Sequence, residues 1–390
     1  MKILYIVHAN VVGGSNKALF NIIDYMKTRH DVRIVFPTIQ RGEKTIIKDY
    51  LEANGIRYYC PCYYDAFVYG TDKNIIRRFI RTIGRLFRHL RIRKKIETII
   101  DDFQPDIVHT NNGIIDIALD YCLKKKIPHI WHLREYQDLD FKMSIMPSKK
   151  IWLNRIHKQG NFNIAITKGI FDYFNLRSCD TYIYDGVIDL NKKYLTEENK
   201  QNYFLFVAGG VFNPGKGLLD TLKAYCIFSK KNSKCLLYIV GAIINNSYKT
   251  ECDKFIQENK LENQIKFLGI RNDINILMSR AKAILVSSDF EGFGFITAEA
   301  MYNDCLVIGR NKAGTKEQFD NGKEYTGQEI GLRFSNIEEM AKCMEKALNE
   351  DSSKLRKRAK KVVEALYTKE TSCAQLDKFY SKILNQYYCR

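Results

Sequence analysis

Two carboxylates, Glu291 and Glu299, are separated by seven residues in the segment Ser287-Ser288-Asp289-Phe290-Glu291-Gly292-Phe293-Gly294-Phe295-Ile296-Thr297-Ala298-Glu299-Ala300-Met301. A strand pattern precedes this segment and a helix pattern follows it. A carboxylate ahead of a Gly-aromatic-Gly turn can accept hydrogen bonds from sugar hydroxyls. The amides of Phe293, Gly294, Phe295 and Ile296, at a helix start, suit a diphosphate. Glu299, more than one turn into the helix, suits a ribose diol, which a two-oxygen acceptor can take in both hydroxyls. Two such carboxylates around an oxygen-rich ligand point to sugar recognition rather than metal binding. Either glutamate alone could belong to an ordinary surface helix; the string as a whole is hard to explain that way.

Two glycine-rich turns could carry the phosphates. The apolar run Phe204 to Ala208 leads into Gly209-Gly210-Val211-Phe212-Asn213-Pro214-Gly215-Lys216-Gly217 and then a helix pattern. Lys216, held beside a glycine turn at a helix start, can neutralise a diphosphate leaving group; the competing reading is a solvated lysine in a surface loop. The spacing is not that of a Walker A loop, which argues against ATP hydrolysis. Near the N-terminus, Ile3 to Val7 runs into His8-Ala9-Asn10-Val11-Val12-Gly13-Gly14-Ser15-Asn16. Gly13 and Gly14 would let backbone amides approach a phosphate, although the full GxGxxG is absent and a plain tight turn is an equal reading.

These residues need strands to present them. Short β-rich runs alternate with helical patterns, the mark of βαβ units and parallel sheets. The first set of strands is Ile3 to Val7, Val32 to Phe36, Ile56 to Tyr59, Ile107 to His109, His129 to His132, Ile164 to Ile166 and Tyr182 to Tyr184. Helical stretches such as Asn16 to Lys27 and Gly113 to Lys125 lie between them. The polar stretch Leu190 to Asn202 reads as a linker. The second set is Phe204 to Ala208, Leu236 to Val240, Ile265 to Leu268, Ala283 to Val286 and Leu306 to Gly309, and the text is helical from Ile337 onward. The expectation is an α/β protein with two Rossmann-like, doubly wound parallel-sheet domains facing across a cleft. Its domains would be residues 1–188 and 189–369, with a terminal helix over about 370–390 crossing back to the first. Ligands in such sheets bind outside the carboxyl ends of the strands.

The bulk properties narrow the class. The chain has 390 residues, 45% hydrophobic and 27% charged, which is a globular composition with room for two domains. No apolar run reaches the roughly 18 to 20 residues of a bilayer span. The opening MKILYIVHANVVGG reads as a buried strand and not as a signal peptide. The 11 cysteines are scattered without CxxC spacing, as small buried side chains in a reducing cytosol would be, and no structural metal is expected. A net charge of +18 draws the chain to anionic partners: nucleic acid, anionic lipid or phosphorylated small molecules.

With these motifs in order, the sequence resembles the large retaining glycosyltransferase family of GT-B fold that includes bacterial lipopolysaccharide and capsule enzymes. The motif EGFGFITAEAM carries the resemblance. So do Gly13-Gly14, Pro105-Asp106-Ile107-Val108-His109, Ile127-Pro128-His129-Ile130-Trp131-His132, Tyr184-Asp185-Gly186-Val187, Pro214-Gly215-Lys216-Gly217, Ile265-Lys266-Phe267-Leu268-Gly269 and Ala313-Gly314-Thr315-Lys316-Glu317, which span nearly the whole chain. The resemblance implies transfer of a sugar from a nucleoside-diphosphate donor, a UDP-sugar by commonness, to a glycan or lipid-linked acceptor. The reaction would retain anomeric configuration and need no metal or cofactor, and would serve surface polysaccharide synthesis from the cytoplasm, with the enzyme peripheral on the inner face of the cell membrane. Glu291 would hold the donor sugar, Glu299 the ribose, Lys216 the diphosphate, and His132 the sugar near the reacting centre. Gly14 would meet the distal phosphate or the sugar, and Gly269 and Ile270 would frame the base.

Three features depart from the family pattern. Gly210 stands six residues before Lys216, where the family usually has Arg. Asn303-Asp304-Cys305-Leu306 replaces a small-residue and Pro turn. Asp138-Leu139-Asp140 spells a metal motif of another glycosyltransferase fold without the rest of that fold's pattern.

Residues 73–95, KNIIRRFIRTIGRLFRHLRIRKK, carry ten basic and no acidic side chains around an apolar face at helical spacing. That is the composition of a helix lying on anionic lipid; an ordinary packed helix with a solvated face is the plainer alternative. Other readings of the whole chain remain: a non-catalytic sugar-nucleotide binder, a sugar-nucleotide epimerase, or a nucleic-acid-binding protein. The last lacks any recognisable module.

Overall fold

The computed structural model describes residues 1–390 except 9–12, 39–45, 62–67, 70–74, 141–143, 146–147, 193–199, 212–213, 243–246 and 389–390. The chain divides into two compact units, one formed by Met1–Gly186 with Lys369–Arg390 and the other by Val187–Thr368.

Unit 1 contains β1 (Lys2–Ile6), α1 (Gly14–Met26), β2 (Asp31–Val35), α2 (Ile46–Ala53), β3 (Tyr58–Tyr59), β4 (Val68–Tyr69), α3 (Ile75–Phe103), β5 (Ile107–Thr110) and α4 (Leu119–Lys125). It continues through β6 (His129–Leu133), β7 (Ser144–Ile145), α5 (Lys149–Ile156), β8 (Asn161–Ala165), α6 (Lys168–Tyr173) and β9 (Thr181–Tyr182). Seven of its strands form one sheet in the order β3-β2-β1-β5-β6-β8-β9, parallel throughout; β4 and β7 form a separate antiparallel pair. Strands buried on both faces read as continuous apolar runs, as β1 does from Ile3 onward. One face packs Ile3, Tyr5, Ile107, Ile130 and Ile164 against α1. The other packs Leu4, Ile6 and Val108 against the C-terminal half of α3.

Unit 2 contains β10 (Tyr203–Val211), a 3-10 turn (Pro214–Lys216), α7 (Leu218–Ser229), β11 (Leu236–Ala242), α8 (Ser247–Glu258), β12 (Ile265–Gly269), α9 (Ile274–Arg280) and β13 (Ala283–Val286). Then follow α10 (Phe295–Tyr302), β14 (Val307–Arg310), α11 (Ala313–Thr326), β15 (Leu332–Phe334), α12 (Ile337–Asn349) and α13 (Ser353–Leu366). Its six-stranded parallel sheet has the order β12-β11-β10-β13-β14-β15, so the winding direction reverses between β10 and β13. A doubly wound sheet offers its ligand crevice at such a reversal, outside the carboxyl ends of the two strands.

The last helix, α14 (Lys369–Tyr388), belongs to unit 1. Cys373, Leu376, Phe379, Tyr380 and Ile383 recur at helical spacing and join the Tyr5 face of the sheet. The amides of Val187 and Ile188, where the chain first passes into unit 2, both donate to the Tyr367 carbonyl at 2.9 and 3.0 Å, close to where it leaves again.

Several elements differ from their sequence patterns. Ile56 is buried but precedes β3 rather than opening it, and the helical pattern from Gly113 becomes helix only at Leu119. The turns over Ile114 to Ala118 bury their apolar side chains without helix. β15 has only three residues with an arginine at its centre, too short for alternation to announce it. Among the described residues no helix is long and apolar enough to cross a membrane.

Candidate functional site

In unit 2 the winding reversal brings the sequence-nominated residues of β10 and β13 together. β10 ends through Gly209 and Gly210 and leads to the 3-10 turn that carries Lys216. Gly217 follows with φ +73°, and a Cβ there would overlap the Ser287 carbonyl, so glycine is required both by backbone conformation and by the close approach to β13. The Ser287 hydroxyl donates to the Gly217 carbonyl at 2.8 Å and the Asp289 amide to the Gly215 carbonyl at 3.0 Å. These bonds tie the two strand ends into one rigid platform. On it, Lys216 Nζ lies 2.8 Å from Glu291 Oε1, with one third of the lysine side chain and less of the glutamate exposed.

Beyond Glu291 the chain turns through Gly294, at φ +90°, into α10, whose N-terminus no side chain caps. Gln318 of α11 donates to the carbonyls of Phe293 and Gly294 at 2.7 and 3.0 Å, and the Gly314 amide donates to the Glu291 carbonyl at 2.9 Å. Carbonyls that would crowd an anion are thereby occupied, while Phe295 and Ile296 occupy the first two positions of the helix, where amides have no intrahelical acceptor. The Phe293 ring is buried edge-on against Phe295 and Tyr367, so its side chain anchors the turn. Glu299 is half-buried, one turn into α10. Gly269 closes β12 with φ +67°, and Ile270 beside it is 77% exposed, a large apolar side chain offered to solvent at a strand end.

In unit 1, Gly13 precedes α1 and Gly14 opens it. Gly13 is extended, and a Cβ there would meet nothing within 4 Å, so the turn itself does not demand glycine at that position. His132 near the end of β6 is 2% exposed. Its Nδ1 lies 3.2 Å from His109 Nε2 and 3.3 Å from Arg134 Nη2, whereas its Nε2 has no hydrogen-bond partner among the described residues. Burial and the Arg134 charge hold the His132 imidazole well below the usual histidine range, so it is neutral. His109 is depressed in the same way, burial again being the larger cause.

Sequence reasoning passed over Arg134, which is 3% exposed and grips Asp185 with two bonds of 2.7 and 2.9 Å. Burial raises the Asp185 carboxyl and the guanidinium opposes it. The signal was a lone arginine two residues past a strand-end histidine, a costly residue to bury without a function or a partner. Arg310, at the end of β14, was also missed; it donates to the Ser287 carbonyl at 3.0 Å and pairs with Asp220, bracing the platform from below. The Asp138-Leu139-Asp140 motif is occupied otherwise: Asp138 pairs with Lys149 at 2.9 Å and accepts from Tyr173, and Asp140 accepts from the Tyr136 amide at 2.8 Å. In the turn after α10, Asp304 adopts φ +53° and pairs with Lys200 at 3.3 Å and with Arg356.

Residues 187–364 match the family described as glycosyl transferases group 1. A segment of 119 residues is 26% identical to trehalose synthase of Thermococcus litoralis, covering 29% of each protein. A segment of 146 residues is 30% identical to the O-antigen chain mannosyltransferase RfbU of Salmonella typhimurium, covering 37% of this chain and 38% of that one. The chain thus spans well under half the length of these relatives. Over nearly the whole chain it is similar to the crystal structure of Anabaena HepE in complex with UDP, with a TM-score of 0.75, 19% identity, and coverage of 98% of this chain and 100% of that one. HepE has also been solved with UDP-glucose. The chain has the GT-B fold, and its second unit is related to the glycosyl transferases group 1 family.

Proposed function

We propose that the protein is a glycosyltransferase that moves a sugar from a UDP-sugar to a saccharide or lipid-linked saccharide, with retention of configuration and without a metal, in surface polysaccharide synthesis. The observation that carries this reading is the Lys216 and Glu291 pair, set on a braced turn at the winding reversal of unit 2 beside the uncapped start of α10. Lys216 and the α10 amides supply positive charge where the diphosphate leaves. Glu291 takes the sugar hydroxyls and Glu299 the ribose diol, with Gly269 and Ile270 against the base. Gly210 brings no side-chain charge, so Lys216 works with backbone amides. Unit 2 is then the donor domain and unit 1 the acceptor domain, where His132 and the Gly13-Gly14 turn meet the sugar and the distal phosphate. HepE, by its crystal structures, binds UDP and UDP-glucose, which supports the donor class, and RfbU is a mannosyltransferase of the O-antigen chain, which supports the pathway class.

The acceptor reading rests on α3. Ile92, Ile96, Ile99, Ile100 and Phe103 are buried in the unit 1 core. Upstream, Ile76, Ile80, Ile83 and Leu90 are exposed by 71, 64, 40 and 51%. At about 100° per residue these four fall on one stripe roughly opposite the core-facing one, so they do not continue the core face. In a stretch without acidic residues, such a stripe suits the anionic inner face of the cell membrane, where a lipid-linked acceptor is presented.

Thermal stabilisation of the purified protein by UDP-, GDP- and ADP-sugars without added metal tests the donor reading, alongside Lys216→Ala. A selective rise lost in the variant supports it. No rise with any sugar nucleotide returns the chain to the nucleic-acid-binding reading, and binding without turnover across an acceptor panel makes it a non-catalytic relative.

A further inference from the structure

A chain of buried polar groups runs from the C-terminal helix to the candidate site histidine. Tyr5 Oη lies 3.1 Å from Tyr380 Oη, Tyr380 Oη 2.6 Å from His109 Nδ1, and His109 Nε2 3.2 Å from His132 Nδ1. All four side chains are 2% exposed or less. Sheet register explains how they meet. Tyr5 and His109 are paired neighbours on β1 and β5, and His109 pairs with Ile130, two residues before His132 on the same face of β6. That face is the one α14 covers.

The direction of every bond follows from one residue. Arg134 has donors only, and its Nη2 lies 3.3 Å from His132 Nδ1, so that nitrogen is the acceptor and carries no proton. A neutral imidazole then holds its proton on Nε2. His109 Nε2, facing the same acceptor, must itself be N–H, which leaves His109 Nδ1 to accept from the Tyr380 hydroxyl. The Tyr380 oxygen in turn accepts from Tyr5. We infer that Tyr380 of α14, with Tyr5, His109 and Arg134, is a positioning device that fixes His132 as a neutral Nε2–H donor, so that His132 offers a hydrogen bond to a substrate oxygen and does not act as a general base. The titratable and charged groups facing the two histidines are Tyr5, Tyr380, His129 and Arg134, the last neutralised by Asp185. Burial and Arg134 disfavour a second proton on either ring.

What His132 donates to rests on the glycosyltransferase reading; the tautomers do not. The test is a long-range 1H–15N correlation spectrum of the histidine side chains in the full, ligand-free chain from pH 5.5 to 8.5. Protons on Nε2 of both His109 and His132, unchanged over that range, are expected. A proton on Nδ1 of either ring, or an imidazolium at pH 7, overturns the inference whether or not a sugar is transferred. In Tyr380→Phe the His109 Nδ1 resonance shifts to that of an unbonded acceptor, and kcat falls by about fivefold with the donor KM held within about twofold, the scale of one lost hydrogen bond. Tyr5→Phe, which keeps the Tyr380 hydroxyl, leaves that resonance in place. A Tyr380→Phe spectrum identical to wild type removes Tyr380 from the device. His132→Ala with wild-type turnover would sink the placement of His132 at the substrate while leaving the tautomers standing.

Discussion

Lys216 Nζ and Glu291 Oε1 meet at 2.8 Å, joining the turn after β10 to the turn after β13. Each charge is the other's partner, so on the proposed reading a bound diphosphate draws the lysine away from the carboxylate. On that reading Glu291 would lose a cation at the moment it gains sugar hydroxyls to hold. Replacing Glu291 by Ala costs roughly 3 kcal/mol of transition-state stabilisation, about a hundredfold in kcat/KM, with the melting temperature nearly unchanged. Steady-state rates with the best donor decide it; a wild-type rate would remove Glu291 from the site.

The same pair separates two kinds of binding. Glu291→Gln frees Lys216 without removing a hydrogen-bonding side chain, so UDP alone should bind as tightly as in wild type or tighter, while Lys216→Ala weakens it by tenfold or more, on the order of one charge-assisted contact. Calorimetric titration with UDP measures both. Equal affinity for all three proteins would place the diphosphate elsewhere.

Three wholly buried histidines make stability depend on pH. His129 is lowered to about 4 by burial, and His109 and His132 lie well below their usual range for the same reason. Unfolding returns each to about 6.5, so between that value and the folded one the unfolded chain binds more protons. Stability is therefore full above pH 6.5 and falls with acidification, each histidine contributing roughly 1.4 kcal/mol per pH unit inside its window. Urea midpoints at pH 7.5, 6 and 5 should decline in that order; a flat profile contradicts the burial of neutral rings.

Gly217→Ala tests the platform. The new methyl must occupy a left-handed backbone position and overlap the Ser287 carbonyl, so unfolding should become easier by more than about 2 kcal/mol. Gly13→Ala, in open space and at an ordinary backbone angle, should cost less than about 1 kcal/mol. Thermal melts of the two variants, run side by side, give the contrast.

For α3, Ile80→Glu and Ile83→Glu change exposed positions and should leave the melting temperature within about 2 °C of wild type, as surface substitutions do. Both should weaken sedimentation with phosphatidylglycerol vesicles by about tenfold, and 0.5 M salt should weaken it further. Undiminished binding by the double variant would assign the stripe another role.

Much of the parallel-sheet architecture was legible because central strands such as Ile3 to Val7 and Ala283 to Val286 are continuous apolar runs bounded by glycine and polar turns. The two-residue strands β4 and β7 were not, since they are too short to show a period. Around the candidate site, Lys216, Glu291 and His132 stood out by residue type at strand ends. Their supports did not: Gln318, Arg310 and Tyr380 lie 23 to 271 residues from what they hold, and nothing local in the sequence marks such a bond. Arg134 shows the intermediate case, a charge whose burial becomes visible only when Asp185 is placed beside it.

The return of α14 to unit 1 also sets an order of birth. Val187–Thr368 is one uninterrupted stretch and has all of its strands once residue 368 has been made, whereas the sheet of unit 1, begun with residue 2, keeps the face holding Tyr5, Ile107 and Ile130 uncovered by its last helix until residues 373 to 383 have left the ribosome. The half of the protein that is translated first is thus finished last. During synthesis it presents a half-covered apolar sheet face, shielded by α1 but not by α14, to the chaperones of the cell, and a chain halted at residue 368 has every strand of its younger unit while its older one still lacks a helix.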